Sequence, residues 1–424
     1  MNMKKIIIPI MLCVIFSYTI LNIGIVYAYS NEQILFHYGD KIFCYSLDKN
    51  IKTSDQFDQN FIINKYDRFS NSLERINLLN KMLDIGISKD IAIEYLFPNL
   101  SKTIRKIEKN INKFPTDANL RINTNTEKVF FITPEKYGTK LDKEKLYSII
   151  IKKYLANESL DINIPITNLS PNIFARDIEK YSHLRADYMT NISSSSEDRK
   201  HNIKNALNTL NKIEINPNEI FSFNDIVGRR TAENGYREAK IIVNNEFVEG
   251  IGGGVCQVSS TLYNTALLAG LEILEANKHS KQVHYVKYGF DAMVNFGSSD
   301  LKFRNNTSEK ITIITNYSPT DIRIRIFGQD LGDTYYKLSN EISNIVQPSE
   351  EIQIDTDLEY TDKVVYNDEF FYLKKANIGM DIKSYREKYI NNKLVNTEHL
   401  RTDKYTVQNS IKMYGTKDRT MASG

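Results

Sequence analysis

Three consecutive glycines, Gly252, Gly253 and Gly254, run directly into Val255-Cys256-Gln257-Val258-Ser259-Ser260-Thr261. That run opens the most helix-like stretch of the chain. Val258, Leu262, Ala266 and Ala269 form one apolar stripe, widened by Leu267, Leu268, Leu271 and Leu274, and the spacing predicts a helix over Val255–Leu274. Six of the 18 glycines lie between Gly228 and Gly254. Glycines without Cβ atoms accept positive φ and let backbone N–H groups converge. A thiol on the first helical turn stands at the positive end of the macrodipole, which favours thiolate. The same N–H groups can receive the oxyanion formed when a thiolate attacks a carbonyl. Glycines, then Cys256, then helix is therefore a sensible arrangement for acyl transfer.

A nucleophile of this kind needs a base. His279 follows the helix and His284 lies five residues on, while His201 and His183 belong to the same region. A helix of that length spans about 27–30 Å, so His279 at its far end is not automatically near Cys256. Asp291 and Asp300 are the candidates for orienting an imidazole. A metal is not expected, because neither CxxC nor HExxH spacing occurs. The glycine run lacks the Gly-Lys-Ser/Thr of a phosphate loop, and no cofactor is expected.

Address and domain organisation follow from the rest of the 424 residues. Lys4 and Lys5 precede an apolar run from Ile6 to Tyr27, and Val26-Tyr27-Ala28 has the form of a cleavage site. Residues 1–28 read as a cleaved export signal or a retained membrane anchor, since the run is long enough to span a bilayer. Both readings put the remainder outside the cytoplasm. Of three cysteines, Cys13 lies in that segment, leaving Cys44 and Cys256 as one conceivable disulfide. A net charge of +3 from 55 basic and 52 acidic residues gives no concentrated basic face, so nucleic acid is not expected as a partner.

The fold class read from these patterns is α+β and multidomain. Helices are predicted from Phe69 to Leu83, after a Ser88 cap, from Ser101 to Ile111, after an Asp142 cap, and from Asn202 to Leu210. Strands are expected at Val129–Ile132, Asp161–Ile166, Val283–Val286, Ala292–Phe296, Leu301–Phe303, Ile311–Thr315 and Ile322–Phe327. Ser193 to Ser196 reads as a flexible marker. The expected domains are 31–175 (small α+β), 184–330 (catalytic, a mixed or antiparallel sheet packed on the Val255–Leu274 helix) and 331–424 (strand-rich).

Phe221-Ser222-Phe223-Asn224, Gly228, Arg230-Thr231, Gly235-Tyr236, Gly252 through Asn264, and Asp300-Leu301-Lys302-Phe303 together resemble the VanW domain, from about Leu184 to Asn316. The segment 31–166, with Phe114-Pro115-Thr116-Asp117-Ala118 and Tyr137-Gly138, resembles the peptidoglycan-binding module often found before VanW. The tail from about Tyr360 to Gly415 resembles a degenerate G5-like ending. The family takes its name from glycopeptide-resistance gene clusters, and some members are L,D-transpeptidases using the motif cysteine. The resemblance implies 3-3 cross-linking of peptidoglycan stem peptides through a Cys256 thioester. His279, in Lys278-His279-Ser280, matches the family's usual His-Ser and is favoured over His284 as the base, with Asp291 as its orienter. It also implies a substrate-binding set of Arg230, Gly253, Gly254, Gln257, Ser259, Ser260, Tyr263 and His284. Phe290 departs from a position commonly Arg, which bears on stem carboxylate binding. Two rival readings remain at this stage: a non-catalytic protein that binds peptidoglycan or a glycopeptide, and a thiol carboxypeptidase that passes the same acyl group to water.

Overall fold

The computed structural model describes residues 33–46, 72–124, 126–243 and 246–419, so the export segment lies outside the described residues. The chain divides into two units, one of residues 1–116 and 136–172, the other of 117–135 and 173–424.

In the first unit, strands Gln33–Tyr38 and Lys41–Ser46 form a hairpin about Gly39, and Asp161–Asn163 pairs parallel to the first of them. Pro165 cannot donate to a ladder. The single strand expected there is accordingly two, Asp161–Asn163 and Ile166–Leu169. Helices Ser72–Asp84, Lys89–Leu96, Leu100–Ile111 and Lys143–Leu155 bury Leu79, Ile93, Ile104, Ile107, Leu146 and Ile150 against Ile34 and Phe36. Asp142 caps the last helix, its Oδ1 accepting from Lys145 N–H at 2.9 Å. Ser88 precedes its helix without a side-chain capping bond.

The second unit holds the glycine motif. Its main sheet is antiparallel, in the order His183–Asn191, Asp321–Gly328, Ile311–Tyr317, Ile213–Ile215. Helices Glu197–Leu210 and Val255–Leu268 pack on it through Ile203, Leu207, Val258, Leu262, Ile313 and Ile324, all buried. Ser196 caps the first of these helices, accepting from Arg199 N–H at 3.3 Å, so the serine run is a helix start rather than a flexible marker. The hairpin Asn119–Ile122/Phe130–Thr133 joins this unit, with Phe130 edge-on to Phe327 at 4.6 Å. A smaller sheet combines Ile220–Ser222, Lys302–Arg304 and Glu272–Glu275. Glu238–Val243 and Glu246–Ile251 form a hairpin just before the glycines. The C-terminal part is all strand: Thr334–Val346, Gly379–Ile390 and Lys393–Tyr405 in one sheet, Glu350–Ile354, Ser410–Tyr414 and Phe370–Lys374 in another.

The motif helix ends at Leu268, short of the expected Leu274. Gly270 has φ of 73° and Leu271 N–H bonds back to Ala266 O at 3.1 Å, closing the last turn in the left-handed manner that glycine permits. Leu274 sits instead in the strand Glu272–Glu275. Among the described residues, no helix is long and apolar enough to cross a membrane.

Candidate active site

Gly252 and Gly254 have φ of 88° and 106°, and an added Cβ on Gly253 would lie 2.7 Å from the backbone oxygens of Ala239 and Lys240. The buried Asn202 amide braces this turn, donating to Gly253 O at 3.1 Å and Arg237 O at 2.9 Å and accepting from Arg237 N–H at 2.7 Å. Gly254→Ala is expected to cost about 1–3 kcal/mol through the forced conformation alone. Calorimetric melting of the full chain checks this, and an unchanged transition would contradict it.

Gly254 is the N-cap, which makes Cys256 the second residue of the helix. Its amide has no acceptor within the helix, and its thiol lies at the positive end of the dipole. The half-buried sulfur faces a groove of about 1680 Å³ and donates to Val294 O at 3.5 Å.

His279 returns to this point because the helix is short and the following chain folds back beside it. Between the strands at Glu275 and Lys302 the backbone is irregular, where Val283–Val286 and Ala292–Phe296 had been expected as strands. Helix side chains take the place of a ladder there: Ser260 Oγ accepts from Ala292 N–H at 2.9 Å, Ser259 Oγ donates to Ala292 O at 2.6 Å, and Asn264 donates to Phe290 O at 2.7 Å. This fastening sets Asp291 beside the first turns of the helix. Asp291 Oδ2 accepts from both the backbone N–H of His279, at 2.7 Å, and its Nδ1, at 2.6 Å. Nε2 is then the nitrogen left for the Cys256 thiol, whose interaction with the imidazole shifts the titration of both groups.

The electrostatics favour an ion pair. Burial alone would raise the Cys256 thiol, but the hydrogen bond and charge of His279 bring it below its ordinary value. Burial alone would lower His279, and the bonds to Asp291 and Cys256 reverse this, raising it to about 9. Burial pushes the Asp291 carboxyl up, and the His279 bond with the Arg401 charge holds it down. Alkylation of Cys256 by iodoacetamide should therefore rise well below pH 8.5, the free-thiol value of about 8.5 marking an unassisted cysteine. A second inflection is expected near 9, where the imidazolium loses its proton. A single rise centred at or above the free-thiol value would contradict the ion pair.

Cys256, His279 and Asp291 are thus brought together, and the other expected residues divide. Arg230, Gly253, Gly254, Gln257 and His284 line the groove. Ser259, Ser260 and Tyr263 do not reach it: all three are buried, the serines tying the helix to the 290s and Tyr263 packed in the core. Phe290 is likewise fully buried, so a side chain placed as it is does not meet a ligand in the groove. Asp300 orients no imidazole. It accepts from Ser222 Oγ at 2.6 Å and Asn224 N–H at 2.9 Å, holding the Phe221–Asn224 corner. His201 bonds Gly235 O at 2.9 Å and His183 is exposed, 4.0 Å from Asp330. Cys44 and Cys256 are both free thiols. Among the described residues, no cluster of His, Cys, Asp and Glu could hold a metal ion.

Several site residues escaped the sequence reading. Tyr285 lies against Cys256 and Ser260 and stands edge-on to His279 at 6.5 Å. Arg199 reaches Gln257 Oε1 at 3.0 Å, and its charge acts on Cys256. Arg230, which the sequence reading did include, donates to Asn224 Oδ1 at 2.7 Å, while its buried Nη2 has no partner among the described residues. Arg401, from strand Lys393–Tyr405, meets Asp291 Oδ1 at 2.7 Å. Tyr372, Lys374, Lys375 and Gln408 of the C-terminal strands and loops complete the groove wall. The Tyr285 signal was present in the alternation of His284-Tyr285-Val286; Arg401 carries no local motif.

Comparison with known proteins identifies the families that this chain resembles. The family described as "VanW like protein" matches residues 198–327, and "Putative peptidoglycan binding domain" matches residues 47–163. The chain is 32% identical over 239 residues to "Uncharacterized protein YoaR" of Bacillus subtilis, covering 55% of this chain and 76% of that one. It is 28% identical over 183 residues to "Vancomycin B-type resistance protein VanW" of Enterococcus faecalis, covering 42% of this chain and 65% of that one. Among solved structures, "IgA1 Protease G5 domain structure" matches at 19% identity and a TM-score of 0.15, covering 20% of this chain and 92% of that one. "Crystal structure of HP0197-G5" matches at 20% identity and a TM-score of 0.11, covering 19% and 97%. With a relative that is matched over three quarters of its length and the glycine-cysteine motif inside the matched family region, the chain belongs to the VanW-like family.

Proposed function

We propose that this chain is an extracytoplasmic cell-wall acyltransferase, an L,D-transpeptidase that forms 3-3 cross-links between peptidoglycan stem peptides. The observation that carries the reading is the buried Asp291–His279 couple acting on a half-buried Cys256 at a helix start. The Cys256 thiolate attacks the carbonyl carbon joining the third and fourth stem residues. The backbone N–H of Cys256 is free of the helix to meet the oxyanion. The imidazolium of His279 gives its proton to the departing amine, the carbon–nitrogen bond breaks, and D-Ala leaves with a thioester behind. The side-chain amine of a second stem then attacks that thioester; His279 takes the proton it sheds, and the new amide forms as the thiolate is released. Arg230 and Arg199 line the groove and supply positive charge for stem carboxylates. Resemblance to a peptidoglycan-binding domain over residues 47–163 supports the same wall address.

The groove volume of about 1680 Å³ exceeds the ~300–1,000 Å³ usual for one small ligand, which leaves room for a second stem as acceptor. The test is incubation of the full chain with disaccharide-tetrapeptide, read by mass spectrometry beside Cys256→Ala. A cross-linked dimer with loss of D-Ala, absent in the variant, is the expected result. Tripeptide alone would make the protein a thiol carboxypeptidase. Unaltered but bound substrate would make it a wall-binding protein.

A further inference from the structure

The carboxylate of Asp291 is 2% exposed and carries two jobs on its two oxygens. Oδ2 serves His279, through both its backbone N–H and Nδ1. Oδ1 serves a residue 110 positions downstream: Arg401 Nη2 lies 2.7 Å from it, and Arg401 Nη1 donates to the backbone oxygen of Asp291 at 2.8 Å. The fork therefore grips the side chain and the main chain of one residue together, which fixes the direction in which Oδ2 points. Arg401 is itself held. Its Nε bonds Asp403 Oδ2 at 3.0 Å, two residues along the same strand, and its guanidinium lies 5.7 Å from the ring centre of Tyr263 on the nucleophile helix. The guanidinium side chain is 14% exposed, so this is a desolvated pair and not a surface one.

The neighbouring contacts point the same way. Gln282 donates to Ile378 O at 2.8 Å, Asn340 donates to Tyr288 O at 2.9 Å, and Arg386 Nη1 donates to Leu271 O at 2.7 Å. The segment bearing His279 and Asp291 is thus held between the helix on one side and C-terminal strands on the other. Planar Arg can span a carboxylate and a carbonyl at once, which a lysine ammonium cannot reproduce. A buried carboxylate without such a partner is driven toward its neutral form.

We infer that Arg401 is a positioning residue for the Cys256 site, acting through Asp291 and His279, and that the C-terminal strand region is a component of the active site rather than a separate binding module. The inference rests on Cys256 being the nucleophile but not on which acyl group it carries. It is therefore tested by thiol chemistry, which stays informative even if the transpeptidase reading fails.

The experiment measures the pH dependence of Cys256 alkylation by iodoacetamide in the full chain, Arg401→Gln and Arg401→Lys, with melting temperatures beside it. Asp403, Lys278, Tyr263 and Tyr405 also face this cluster and are left intact. Taking away the cation makes the cluster more negative, which opposes thiolate. It also lets Asp291 neutralise, which weakens the imidazolium. Both effects move the thiol inflection upward, so R401Q should shift it by about one pH unit, with R401K closer to the parent. A purely architectural ion pair would lower the melting temperature and leave the inflection in place, and that result in a folded R401Q overturns the inference. Should R401Q not fold, R401K decides: its single donor direction should slow alkylation at pH 7 several-fold, and a parental rate overturns the inference.

Discussion

Cys256→Ser should retain less than about one part in 10³ of the proposed acyl-transfer activity while melting within a few degrees of the parent. Serine keeps the shape of the side chain and can still donate to Val294 O, the contact the thiol makes at 3.5 Å. What it loses is ionisation. Here His279 draws the thiol below its ordinary value and is itself raised to about 9, so the two groups favour ionisation of each other. A hydroxyl remains protonated beside an imidazole, and a neutral oxygen then needs base catalysis that a site poised for an ion pair does not supply. Product formation by mass spectrometry, with melting by calorimetry, makes the comparison. A serine variant within tenfold of the parent would mean that His279 works as a general base on a neutral nucleophile.

Asp291→Asn should lower turnover by about 10³–10⁴-fold with little change in fold, the scale known for removing the charge behind a catalytic imidazole. The reason lies in the three bonds that the carboxylate accepts. If the amide oxygen takes the place of Oδ2, it can accept from His279 N–H and Nδ1 as now, but the NH₂ then faces the donating guanidinium of Arg401. If the amide is turned about, the oxygen satisfies Arg401 and the NH₂ meets His279. It then opposes the backbone N–H and donates to Nδ1, which moves the ring proton to Nε2, the nitrogen that serves Cys256. Either orientation leaves donors opposed, and one of them yields the wrong tautomer. Single-turnover acylation of D291N by tetrapeptide reads this directly. Acylation at the parental rate would remove Asp291 from the site's working parts.

Much of this was legible from the sequence, and the failures have identifiable causes. The glycine run and the apolar stripe located the helix and its thiol without ambiguity. The far end was misjudged because the leucines beyond Gly270 continue the apolar pattern, although Gly270 has already ended the helix. That error made His279 seem distant, and the shorter helix removes the difficulty. The stretches around Val283 and Ala292 alternate like strands, but the second is fastened at Phe290 and Ala292 by Ser259, Ser260 and Asn264 of the helix and makes only isolated bridges, Met293 to Asn277 and Asn295 to Ser299. Polar residues on the helix, which the sequence suggested as ligand contacts, turned out to be these fasteners. Arg401 was invisible for a different reason. Its partner lies 110 residues away, and nothing in the local pattern of a lysine-rich strand marks one arginine as buried.

The Asp291–Arg401 bond also sets an order in time. Synthesis proceeds from the N-terminus, so Cys256, His279 and Asp291 are all made before the strand that carries Arg401. Contacts so far apart in sequence form late, because the loop between them must close first. Until that strand docks, the Asp291 carboxylate lacks the guanidinium that grips its Oδ1. A nascent or truncated chain would thus carry the thiol of Cys256 without its finished surroundings. The sulfur would gain its finished surroundings only once the strand that carries Arg401 has been made and has docked beside Asp291.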